Sequence, residues 1–180
     1  QTGFDSKEHR DESSAVETSV HRAAGDGDPR LTIAQMQQEY WDTIGASTSE
    51  TLVTTAQRLP VDLPEGTPAA EVHKYWLDLA KKTDAERGVI WPDLSGEQIA
   101  AAGLALSIFP NVNFIPGPTF SLAYRVRPWG TDPDKCIFDI WSLVRYGPGQ
   151  EPPLNREFYE DWRDGEWGLI FRQDFENIPE

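Results

Sequence analysis

From Leu31 the apolar residues Leu31, Ile33, Met36, Tyr40, Trp41 and Ile44 recur at helical spacing, and Gly45 stands where such a helix would stop. Residues 49–58 and 68–86 read the same way. In the longer of these, Val72, Tyr75, Trp76 and Leu79 form an apolar stripe, and Lys81, Lys82 and Arg87 lie near the end where the helix dipole favours cations. Ser95 is placed to cap a short helix running through Ile99 to Ala102. After it the period changes. Residues 103–109, 120–127 and 135–146 carry alternating or β-branched and aromatic residues between Pro- and Gly-rich turns, which predicts three sequential strands in an antiparallel meander. A Pro-rich linker over 147–153 leads to polar helical residues around Phe158–Trp162, and a last helix begins near Trp167.

This order of elements is an α+β layout: helices over 31–102, antiparallel strands over 103–146, and a helical part over 154–180. A long C-terminal helix is expected to pack across one face of the sheet, leaving a cavity between them. Residues 1–30 are polar and charged, with too little apolar surface to order themselves, and are expected to form a mobile segment. The remainder, 31–180, is read as part of a single domain.

Composition narrows the function. The net charge of −14 and the lack of a basic stripe argue against nucleic acid, whose binding draws on clustered Lys and Arg. One cysteine, Cys136, rules out an intramolecular disulfide framework and any Cys-based metal motif. No apolar run has the length of a membrane span, and no signal or transit pattern opens the sequence, so a cytoplasmic location and no membrane partner are expected. Gln1 in place of Met, and a stop at Glu180 inside a helical pattern, suggest a piece of a longer polypeptide.

The segment Trp167-Gly-Leu-Ile-Phe-Arg-Gln-Asp174-Phe-Glu-Asn177, with Ile108-Phe-Pro-Asn111 and Ser121-Leu-Ala-Tyr-Arg-Val-Arg-Pro128 upstream, resembles the end of the catalytic domain in the large subunit of Rieske-type aromatic ring-hydroxylating oxygenases. The match is good from Gly103 onward, loose over 31–102 and uninformative before that. The resemblance implies a helix-grip fold and makes Asp174 the carboxylate of a two-His, one-carboxylate site for mononuclear Fe(II). It also implies a [2Fe-2S] Rieske cluster in the parent protein, a ferredoxin or NADH-dependent reductase as electron donor, and a homotrimeric or α/β hexameric assembly. The reaction implied is hydroxylation of an apolar aromatic substrate with O2, by mono- or dioxygenation. One branch of the family has two adjacent acids before the variable residue and the Glu-Asn pair. Here Gln173 precedes a single acid, and counting back from Glu176-Asn177 places the ligand at Asp174 rather than at Glu176 or Asp164.

The rest of that site is not in the sequence. His9, His21 and His73 lack metal-ligand spacing, the family's paired-histidine motif does not occur, and one cysteine cannot supply the two Cys-x-His type pairs of a Rieske cluster. This chain alone is therefore expected to be catalytically inactive and to hold no tightly bound iron. Ala105, Ser107, Ile115, Phe120, Trp141, Trp167 and Phe171 are the candidates for an apolar substrate pocket, with small residues at Gly103 and Ala105 leaving room. Arg125 and Arg127 share a strand face and are expected to pair with carboxylates of the chain itself; a subunit contact or an anionic substrate is the second reading. The rival from another class is a non-catalytic helix-over-sheet module that holds an apolar ligand, with Asp174 incidental.

Overall fold

A computed structural model describes residues 27–45, 47–95, 97–98, 101 and 105–177 of the chain. Among the described residues, α1 (Pro29–Thr43), α2 (Glu50–Ala56), α3 (Leu59–Asp62) and α4 (Ala69–Glu86) precede the sheet. Four strands follow, β1 (Leu106–Ile108), β2 (Val112–Pro116), β3 (Phe120–Trp129) and β4 (Asp132–Val144), paired antiparallel in sequence order. A 3-10 turn at Trp162–Asp164 precedes the last helix, α5 (Leu169–Asn177). The fold is α+β with an open four-stranded sheet. No helix among the described residues is long and apolar enough to cross a membrane.

Asp28 opens α1 by accepting from the Arg30 backbone N–H at 3.0 Å, with Pro29 at the first helical position. The polar segment expected through Arg30 thus ends sooner, and the rest of it, 1–26, lies outside the described residues. The apolar stripe expected to bury α1 does not do so as a whole. Leu31 and Trp41 are exposed, and the buried positions are Arg30, Ala34 and Gln37, one turn apart. Polar contacts hold that face. Arg30 donates to the Leu63 carbonyl at 2.6 Å, Gln57 to the Ala34 carbonyl at 3.2 Å, and Thr48 to Gln37 Oε1 at 2.6 Å. The small Ala34 lets α1 approach its neighbours where the bulkier stripe residues would hold it off.

On α4 the expected stripe buries in part: Val72 and Trp76, joined by Ala80, pack with Leu52, Ala56 and Leu59 into the core of the helical part, while Tyr75 and Leu79 stay half-buried. Burying a side chain such as Leu59 or Val72 in full contributes roughly 1.5–3 kcal/mol. Trp76 satisfies its indole N–H on the Leu52 carbonyl at 3.0 Å. The buried Asp84 accepts from Thr51 Oγ1 and from Trp91 Nε1, each at 2.6 Å, so α2 and the chain beyond α4 converge on one carboxylate. Ser95 does cap: its Oγ accepts from Gln98 N at 3.2 Å, while Gln98 Oε1 accepts from Ser95 N at 2.8 Å, a reciprocal capping box. Ile99, Ala100 and Ala102 of the helix expected there, like Gly103, lie outside the described residues.

The sheet has one strand more than the pattern predicts. Val112–Pro116, read as turn, is β2, paired with β3 from Val112↔Arg125 to Pro116↔Ser121. The stretch Pro128–Pro133 is also mostly strand. Trp129 pairs with Asp132 around a two-residue turn, where Gly130 has φ 58° and Thr131 has negative φ, as a type II′ turn requires. Pro128 is tolerated because β2 ends opposite Arg125, so this part of β3 has a partner on one side only. The helix expected around Phe158–Trp162 is absent. Residues 151–159 have no regular structure, and only the three-residue 3-10 turn follows.

Candidate functional site

Pairing in the sheet sorts side chains onto two faces, because directly opposed residues of antiparallel strands point the same way. Leu122 lies opposite Ile115 and Ser142, and Tyr124 opposite Asn113 and Ile140. That face meets α5: Leu122, Phe171 and Phe175 form a buried cluster, with Ile115, Tyr124, Phe138, Ile140, Trp162, Trp167 and Ile44 packed around it.

Phe171 and Phe175 are one helical turn apart, so both point from α5 into the sheet. Phe175 is the hub. Its ring centroid lies 5.3 Å from Phe138, 5.3 Å from Trp167, 5.6 Å from Trp162 and 6.1 Å from Phe171. The Phe138 and Trp167 contacts are edge-on, the arrangement ring quadrupoles favour. Trp167 donates its indole N–H to the Trp162 carbonyl, so the aromatic wall carries no stranded donor there.

The start of α5 is fixed by a close approach. A Cβ on Gly168 would fall 2.3 Å from the Thr43 carbonyl oxygen at the end of α1, so only glycine allows the two backbones to meet there.

Asp174 follows from this anchoring. At about 100° per residue it sits roughly 60° around the helix from Phe171 and 100° from Phe175, beside the packed face rather than in it. The residue is exposed overall. Protein packed against part of its carboxyl desolvates it and raises its pKa above the ordinary value, with no hydrogen bond or charge among the described residues offsetting the shift.

An open cavity of about 450 Å3 lies on the other flank of α5, walled by Trp162, Trp167 and Phe175 and rimmed by Arg163, Arg172 and Glu176. Arg172 and Glu176 stand about 160° around the helix from Asp174, so cavity and carboxylate do not face each other.

Of the residues expected to line a substrate pocket, Ile115, Trp167 and Phe171 come together under α5. Phe120 packs instead against the core of the helical part. Ser107 is exposed on the short strand β1, bonded to Asn113 Oδ1 at 2.8 Å, and Ala105 is exposed just before it. Trp141 lies opposite Ala123, on the face turned away from α5, with the Arg125 guanidinium 5.3 Å over its ring. Arg125 and Arg127 share that outer face and both bind Asp139, at 2.9 and 2.6 Å, which matches the expectation that they pair within the chain. Leu122, Phe175, Phe138, Ile140, Tyr124, Trp162 and Ile44 are the residues of this cluster that sequence reading did not place in the pocket. For Phe175 a signal existed in its four-residue spacing from Phe171, and for Phe138 in its alternation with Ile140.

His73 is exposed on α4, edge-on to Trp76 at 5.8 Å; His9 and His21 lie outside the described residues. Among the described residues no three His, Cys, Asp or Glu side chains gather as a metal site. Asp174 thus offers one donor where a facial triad needs three, and the described residues alone do not fit mononuclear iron. Comparison with family models, with curated proteins and with solved structures finds no match for this chain.

Proposed function

We propose that this chain is part of the catalytic domain of a non-heme iron ring-hydroxylating oxygenase, with a helix-grip fold and Asp174 as the iron-binding carboxylate. The observation that carries the reading is Asp174 itself: an acid of raised pKa, without a partner among the described residues, beside the aromatic face of a helix that packs on an antiparallel sheet. A carboxylate spared from internal pairing is free to bind a cation. Its sequence context, Gln173-Asp174-Phe175-Glu176-Asn177, is the one the family resemblance rests on.

Two imidazoles and the Rieske cluster would come from other parts of the polypeptide. The parent enzyme would hydroxylate an apolar aromatic substrate with O2, drawing electrons from NADH through a reductase or ferredoxin. The chain's own contribution is to hold Asp174 on a helix whose position is set by Phe171, Phe175 and Gly168.

The test begins with the coding region upstream of Gln1, where paired histidines and two Cys-x-His type pairs are expected. The polypeptide so encoded should bind iron and consume O2 when given substrate, and Asp174→Ala should lose both. Stoichiometric iron retained in Asp174→Ala would sink the assignment. The second reading is a module that holds an apolar ligand without catalysis, in the open cleft of about 450 Å3 beside Trp162, Trp167 and Phe175. It predicts that an apolar aromatic probe quenches Trp162 and Trp167 fluorescence equally in the wild type and in Asp174→Ala, with no iron in either.

A further inference from the structure

The two edges of the sheet are unlike. β1 is three residues long, too short to recruit another strand, whereas β4 runs for thirteen and pairs only with β3 among the described residues. Soluble proteins blunt a long edge with Lys, Pro, Gly or an unpaired charge. On β4 such residues gather at the hairpin end, in Asp132-Pro-Asp-Lys135. From Cys136 to Val144 the sequence Cys-Ile-Phe-Asp-Ile-Trp-Ser-Leu-Val has no Pro, Gly or Lys and one charge. That charge, Asp139, is already held by Arg125 and Arg127. Trp141, Leu143 and Val144 along this stretch are 37%, 45% and 45% exposed.

We infer that the edge of β4 left unpaired by the described residues pairs antiparallel with β4 of a second copy of this chain, joining two four-stranded sheets into one of eight. A strand edge recognises only another extended backbone, and this one is complementary to itself about Ile140. There Ile140 meets its own counterpart, Ile137 meets the second copy's Leu143, Phe138 meets Ser142, and Asp139 meets the Trp141 ring that Arg125 already covers. Moving the centre one residue toward the hairpin, to Asp139, would set Asp139 against itself, and like charges directly opposed are destabilising. Moving it one residue the other way, to Trp141, would set Asp139 against Leu143 and Ile137 against Arg145. The centre at Ile140 also keeps like faces together, so both α5 helices stand on the same side of the joined sheet.

Charge sets the salt dependence. Each copy carries −14, so long-range repulsion opposes association while the edge itself is locally neutralised. Screening by salt should therefore tighten the pair. The pairing does not depend on the oxygenase reading.

The test is sedimentation of the 180-residue chain up to roughly 100 μM, within the range of weak transient association. A reversible dimer that tightens with added salt is expected, and Leu143→Lys, which places a charge on the exposed outer face at the edge, should weaken it about tenfold or more. Cys136 is the sole cysteine and is exposed, so a nitroxide attached there reports the register. Centred on Ile140, the two Cys136 backbones lie eight residues apart, about 27 Å at roughly 3.4 Å per residue. A wild-type monomer throughout the range overturns the proposal, and slow amide exchange along β4 in that monomer would mean that the chain covers the edge itself. A dimer indifferent to Leu143→Lys, or with the labels at a clearly different separation, overturns it as well.

Discussion

Phe138 on β4 meets Phe175 on α5 edge-on, with ring centroids 5.3 Å apart, and this contact ties the last helix to the last strand. Phe175 also touches Trp162, Trp167 and Phe171, so no other ring in the cluster has as many aromatic neighbours. Truncating it leaves a cavity that four rings cannot all collapse into. Phe175→Ala should cost about 3–5 kcal/mol, read as a lower urea midpoint, with tryptophan emission shifted to the red as Trp162 and Trp167 gain water. A loss below about 1 kcal/mol would mean that α5 is not held by this cluster.

Two carboxylates should respond to pH with opposite sign. Burial raises the Asp174 carboxyl, so the folded chain holds that proton more tightly than the unfolded chain does. Its ionisation therefore opposes folding. The penalty is absent below the ordinary carboxylate range, near pH 4, and complete above the raised folded value. Asp174→Asn should then be more stable than the wild type at pH 7 and lose that advantage in acid. For Asp139 the hydrogen bond from Arg127 lowers the carboxyl most, with Arg125 adding to it against the effect of burial. The stability it contributes is present above the ordinary value and is lost as pH falls through the depressed one. Asp139→Asn should be less stable at pH 7, with the deficit closing in acid. Urea midpoints of the three proteins from pH 3 to pH 7 check both, and a destabilised Asp174→Asn at neutral pH would remove the case that this acid is held at a cost.

What the sequence disclosed follows from how local each determinant is. The Gly45 stop, the Val72–Trp76 stripe, the Ser95 cap and the last helix bearing Asp174 depend on neighbours within a turn or two, and all were legible. β2 was not, because five residues closed by Pro116 and preceded by the Pro110 turn show too little alternation to stand out from a loop. The hairpin prolines misled for a related reason: what makes Pro128 acceptable is the absence of β2 on that side, a fact of the sheet and not of the chain nearby. The α1 stripe failed because the partners of Arg30 and Gln37, Leu63 and Thr48, are set by tertiary contact. The candidate pocket divided along the same line. Ile115, Trp167 and Phe171 converge, while Trp141 falls on the far face, since the parity of β4 relative to β3 was not readable without the length of the turn between them.

Gly168 is the sharpest test of how Asp174 is positioned. An added Cβ would lie 2.3 Å from the Thr43 carbonyl oxygen and 3.1 Å from its carbon, both backbone atoms at the end of a fifteen-residue helix, so a side-chain rotation cannot relieve the clash. Gly168→Ala must push α5 away from α1 or unwind its first turn. Overpacking of this kind costs about 1–3 kcal/mol, and the neighbouring Trp167 should report it through altered emission before global unfolding begins. Under the oxygenase reading the same substitution should weaken iron retention in the full polypeptide, although Gly168 has no donor side chain, because Asp174 moves with the helix. An unchanged unfolding midpoint with unchanged Trp167 emission would show that α5 is not seated on the end of α1, and Asp174 would then need another anchor.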